Sequence, residues 1–170
     1  MRILIVLAVA VVVACGPSGK DMAGAKTAHY RGDQLVLFAA ARSATEAKYK
    51  LATSDETTLR VVTEGRWYSP EGLGLTATMD NLGNVPDRSI FLSLALQLMA
   101  ADAGFVIAVS PTILRYHEGR PNPDKLASDD PSLPGWVTGR VDQLQLAVHE
   151  ALRSYEVKTV GGIVPNAEAR

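Results

Sequence analysis

The chain has 170 residues, 17 of them Lys or Arg against 18 Asp or Glu, and 47% of it is hydrophobic. A formal charge of −1 gives no overall electrostatic case for nucleic acid or for strong attraction to anionic lipid. The length suits one domain able to bury a core without metal, and a single cysteine excludes an intramolecular disulfide.

The chain starts with Met1 and Arg2, then an unbroken apolar run over 3–14 that ends Val12-Val13-Ala14-Cys15. About a dozen apolar residues fit the core of a secretory leader and fall short of the roughly 20 that a membrane span needs. Gly16-Pro17-Ser18-Gly19 would break any continuing helix. An aliphatic residue three before the cysteine, a small one just before it and a flexible exit together resemble the lipobox of bacterial lipoprotein precursors. The resemblance covers residues 1–15. It implies that 1–14 are a signal peptide, that the Cys15 sulfur receives a diacylglycerol, and that the amino group freed by cleavage is acylated. Each buried methylene contributes about 0.8 kcal/mol, so several chains on one residue hold a protein at a bilayer where one chain would not. Loss of 1–14 removes Arg2 and leaves 16 basic against 18 acidic residues, a charge of −2. Gly16, rather than aspartate, at the second mature position implies sorting to the periplasmic face of the outer membrane, or to the cell membrane in a source with only one. An ordinary cleaved leader and an uncleaved anchor are the alternatives.

Residues 15–30 carry Gly, Ser, Lys and Ala with little periodicity and read as a flexible tether, spanning on the order of 20 Å. A single domain is expected over 31–160 and a disordered tail over 161–170. Arg31-Gly32-Asp33 spells an adhesion tripeptide, but Asp33 is better placed as a helix N-cap. Residues 34–48 are strong helix formers, with Leu35, Phe38 and Ala39 on one side and Ala40, Ala44 and Ala47 on its flank. Alternation over 49–54 and 59–64, broken by Asp55-Glu56, reads as two strands and a tight turn, with Trp67 and Tyr68 closing the second. Ser69-Pro70-Glu71-Gly72 is a turn, and Leu73, Leu75, Ala77 and Met79 suggest a third strand.

Residues 89–99 satisfy two patterns. Ile90, Leu92, Leu94, Leu96 and Leu98 alternate strictly with their neighbours, which favours a strand; Ser89, Ser93 and Gln97 lie four apart and Gly104 stands where a helix C-cap could. Period two has five consecutive matches and outweighs propensity, so a strand is expected, with 105–109 as hairpin partner and Pro111 disturbing its far end. Four prolines, two glycines and no periodicity over 119–136 give a long strap. Val137, Val141, Leu144, Val148, Ala151 and Leu152 mark a C-terminal amphipathic helix, and 157–160 a short strand.

The expected fold is α+β: an antiparallel sheet of about five strands covered by an N-terminal and a C-terminal helix. In element order it resembles the helix-grip domains of lipoproteins of the outer-membrane assembly machinery. Were 89–99 a helix, it would instead look like the small βαβ modules of secretin periplasmic regions.

Catalytic patterns are sparse. His117-Glu118 and His149-Glu150 lack a second histidine four residues on, where Arg153 follows His149, so neither has zinc-hydrolase spacing. Asp124, Asp129 and Asp130 lack the alternating ligands and glycine of a calcium loop. No serine sits in a Gly-x-Ser-x-Gly elbow. Neither catalytic residues, nor a metal, nor a cofactor are therefore expected. Trp67, Tyr68, Arg115, Tyr116 and Trp136 lie near loops and strand ends as a possible partner-binding surface, although both tryptophans could equally complete the core under the strap. The expectation is a membrane-anchored, non-catalytic accessory module of an envelope complex. The alternative is a carrier or sensor of an apolar ligand held between the C-terminal helix and the sheet.

Overall fold

The computed structural model describes residues 18–157 apart from Asn84. The leader, Cys15 and the tail lie outside the described residues, as does the expected strand over 157–160 beyond Val157. Three helices, α1 (Gly19–Thr27), α2 (Gln34–Glu46) and α3 (Gly135–Leu152), accompany six strands: β1 (Leu51–Asp55), β2 (Arg60–Thr63), β3 (Arg66–Tyr68), β4 (Ile90–Ala101), β5 (Gly104–Arg115) and β6 (Asp124–Leu126). The fold is α+β, with an antiparallel sheet ordered β1-β2-β4-β5-β6 and β3 also paired to β4.

Residues 89–99 are strand. β4 turns Ile90, Leu92, Leu94, Leu96 and Leu98 to one face, where each is at most 4% exposed. β5 adds Ile107 and Ile113 to that face, and β2 adds Val61. The layer is closed by Leu37, Phe38 and Ala41 of α2 and by Val137, Leu144, Val148 and Leu152 of α3. Asp33 caps α2 as expected, accepting from the Leu35 and Val36 N–H groups at 2.9 and 3.2 Å. The buried stripe of α2 is rotated from the expected one, and Leu35 faces water.

One edge of β4 is shared by β2, opposite Ala95–Gln97, and β3, opposite Ile90–Leu92. What read as a single strand closing at Trp67 and Tyr68 is thus two, interrupted at Glu64-Gly65. Thr63 bridges the break: its hydroxyl accepts from the Leu94 N–H at 2.9 Å and its carbonyl from the Ser93 hydroxyl at 2.9 Å. Gly65 lies against the Phe91 ring with no room for a Cβ.

Pro111 does not end β5. Phe105 exchanges both backbone hydrogen bonds with Tyr30, each 2.8 Å, on the side away from β4. By period two Pro111 turns the same way, so it lacks an N–H that β4, where it faces Leu94, would not have used. The hairpin continues to Arg115.

Three further expectations are corrected. Residues 73–79 are not a strand: β3 offers only a three-residue edge, the chain pairs with it at Gly74, and Leu73 is left 70% exposed. The strap contains β6, which pairs with β5 through Leu126 opposite Ile113, a register that alternation in three residues cannot announce. The flexible tether over 15–30 is, from Gly19 to Thr27, a helix. Ser18 and Asp21 form a capping box, Met22 and Ala25 are buried, and Lys26 pairs with Asp142 at 3.0 Å.

Gln145 of α3 holds α1 to the sheet. Its buried amide nitrogen donates to the carbonyls of Ala25 (2.9 Å) and Ile107 (3.2 Å). Gln145→Leu keeps the volume, removes the donor and leaves both carbonyls without it. The expected cost is about 1–3 kcal/mol, measured as a lower denaturation midpoint together with faster proteolysis within 18–30.

Candidate functional site

The five residues expected to form one surface separate. Alternation in β3 sends Trp67 and Tyr68 to opposite faces of the sheet. Trp67, fully buried, packs on Phe91 and edge-on against Tyr116, with ring centroids 5.5 and 6.3 Å away. It is buried on the face away from the β4 leucines, not contact surface. Arg115 fastens the strap: its two terminal nitrogens donate to the hydroxyl and carbonyl oxygens of Ser132, each at 2.9 Å. Ser132 in turn donates its N–H and hydroxyl to Asp130. Tyr68 and Trp136 do come together, centroids 5.2 Å apart, and the indole N–H donates to the Pro70 carbonyl at 2.9 Å.

Beside that aromatic pair lies a cleft of about 510 Å³. The segment joining α2 to β1 brings Lys48, Tyr49 and Lys50; the β2–β3 break brings Glu64 and Arg66; α3 brings Arg140. Arg140 follows Trp136 by four residues and so shares its helix face. Its guanidinium lies 4.4 Å from the Tyr68 ring centroid and 5.6 Å from that of Trp136, and donates to the Gly72 carbonyl at 3.4 Å. Stacking of this kind contributes about 0.5–2 kcal/mol and holds the planar group in one orientation. Gly72 makes the approach possible, its φ of +91° turning the chain over the Trp136 ring. The Arg66 guanidinium rests on Gly74, where a side chain would displace it.

Four cations line this cleft against one carboxylate. Lys50 is paired with Glu64 at 2.7 Å. Lys48, Arg66 and Arg140 have no carboxylate within 4.0 Å among the described residues. Burial pushes the Tyr49 hydroxyl above its ordinary range, while the neighbouring Arg140 pulls it down.

A second cleft, of about 660 Å³, runs between α1 and α3 and shares Lys48 with the first. Its charges are mixed: Lys20, Lys48 and Arg153 line it together with Asp21, Glu150 and Glu156. His149 also lines it, and its Nδ1 is hydrogen-bonded to the Tyr30 hydroxyl at 2.8 Å. Burial, then the Glu156 carboxylate, hold that hydroxyl well above the tyrosine range, so it keeps its proton. His117 sits between Asp87 and Asp124, at 3.6 and 3.7 Å. Among the described residues no serine hydroxyl is hydrogen-bonded to either histidine, and no three His, Cys, Asp or Glu side chains are grouped as a metal would need.

Arg140, Arg66 and Lys48 escape sequence inspection because the cleft is assembled from three separate segments. The one local signal is Arg140 four residues after Trp136. Fold and cleft together define a helix-covered antiparallel sheet with a cationic aromatic pocket at the edge of its core. No family model matches the chain, and no curated protein matches it in sequence.

Acid should loosen the strap, because its Asp130–Ser132 contacts favour the ionised carboxylate. The Ser132 hydroxyl and N–H hold the Asp130 carboxyl below the ordinary aspartate range. A lowered folded value means that the stabilisation is complete above the unfolded value of about 3.9 and is lost as pH falls through the lower folded value. Amide exchange over 119–134, corrected for its intrinsic pH dependence, should be flat from neutrality to about pH 5 and rise below about pH 4. Asp130→Ala should show several-fold faster exchange there already at neutral pH.

Proposed function

We propose that this protein is a lipoprotein, moored through acyl chains on Cys15 to the periplasmic face of an outer membrane, or to the cell membrane of a single-membrane source. Its body serves an envelope complex as a non-catalytic accessory module. The observation that carries this reading is Val12-Val13-Ala14-Cys15 at the end of a short apolar run, leading almost directly into the folded body. Ser18 already caps α1, so only Gly16 and Pro17 separate it from Cys15, three residue steps in all. Fully extended they reach about 10 Å, half the span of the tether expected from sequence. The domain would lie close against the headgroups with α1 nearest the anchor.

An apolar-ligand carrier has less support. Val137, Leu144, Val148 and Leu152 of α3 are each at most 1% exposed and lie in one cluster with the β4 leucines, which leaves little room between helix and sheet.

Mass spectrometry of the protein extracted from membranes should give a chain beginning at Cys15 and heavier than its polypeptide by the acyl groups. Cys15→Ala should move the protein out of the membrane fraction. An unmodified thiol, or a retained leader, would overturn the reading.

A further inference from the structure

We infer that the cleft between Tyr49, Arg66 and Arg140 binds a phosphate group, the two guanidinium groups supplying the recognition and Lys48 and Lys50 the surrounding positive charge. This goes beyond the proposed mooring and does not depend on it.

The chain as a whole carries −1, yet this cleft gathers four cations and one carboxylate, a local excess of three positive charges. Like charges brought together in a concavity repel one another, and three of the four lack a carboxylate within 4.0 Å among the described residues. A bound anion relieves that repulsion. One carboxylate supplies a single negative charge; a phosphate supplies up to two, with acceptor oxygens that match the fork of an arginine.

The geometry favours a fixed receptor over a solvated basic patch. Arg140 is stacked on Tyr68 and held by the Gly72 carbonyl, so its orientation is set before a ligand arrives. Arg66 is placed by its rest on Gly74. The cleft, at about 510 Å³, is larger than a bare anion needs, so the phosphate would enter as part of a larger molecule with the Tyr49 and Tyr68 rings beside its remainder. Lys48 also lines the α1–α3 cleft, which includes Lys20 and Asp21 at the start of the folded body. A soluble phosphate ester and a lipid headgroup are both possible sources of the same group.

The test is calorimetric titration of the full chain, purified in a neutral detergent, with four probes: inorganic phosphate, glycerol 3-phosphate, glycerophosphoglycerol (an anionic headgroup without its acyl chains) and acetate. Binding of at least one phosphate probe, weakened tenfold or more by Arg66→Gln and by Arg140→Gln but not by Lys20→Gln, is the expected result. Preference for glycerol 3-phosphate assigns a soluble ester; preference for glycerophosphoglycerol assigns a headgroup. Arg140 also contributes packing, so should Arg140→Gln fail to fold, exposed Arg66→Gln carries the comparison. Absence of heat with every phosphate probe, equal affinity for acetate, or equal loss in Lys20→Gln would overturn the inference. Failure here leaves the acylation of Cys15 untouched, because that is read by mass.

Discussion

The structure depends on one strand being used completely. β4 is paired along the whole of β5 on one edge and by β2 and β3 on the other, and it buries five aliphatic side chains on a single face. A one-residue slip would move all five to the opposite face, so burial fixes the register as firmly as the hydrogen bonds do. Shared use of one edge by β2 and β3 also explains the break at Gly65. The chain must pass the Phe91 ring there, and Thr63 supplies from its side chain the acceptor that the interrupted backbone cannot.

Elements whose signal is local and repeated were legible in the sequence. Five alternations identify β4, Asp33 marks the start of α2, and the period from Val137 to Leu152 gives α3. Elements created by a partner were not. β6 has three residues and exists because β5 extends past Pro111 to receive it. The reverse error occurs at 73–79, where Leu73, Leu75, Ala77 and Met79 alternate as a strand would but find no long edge to join. α1 contains two glycines and carries Lys20, Asp21 and Lys26, a composition that resembles linker; Met22, Ala25 and the reach of Gln145 make it part of the body.

The aromatic residues show the same division at the level of the site. Sequence proximity placed Trp67 and Tyr68 together, and the pleat separates them, Tyr68 onto the leucine face towards α3 and Trp67 onto the opposite face against Phe91 and Tyr116. Arg115 likewise had the composition of a contact residue but spends its donors on Ser132. The cationic cleft arises where the pleat, the β2–β3 break and the face of α3 meet. No window of the sequence contains it.

The docking of α1 links the two halves of the functional reading. A long flexible tether would let the domain rotate freely over a membrane, and the position of its charges would matter little beyond the Debye length of about 8 Å at physiological salt. With the chain committed to helix from Gly19 and clamped by Gln145 and the Lys26–Asp142 pair, an anchor at Cys15 would restrict both distance and orientation. The start of α1 and the basic cleft have Lys48 as a common neighbour. Under the proposed mooring, rigidity in a segment that looks like linker is what would bring a local positive field within range of a phosphate-rich surface, despite a net charge that points the other way.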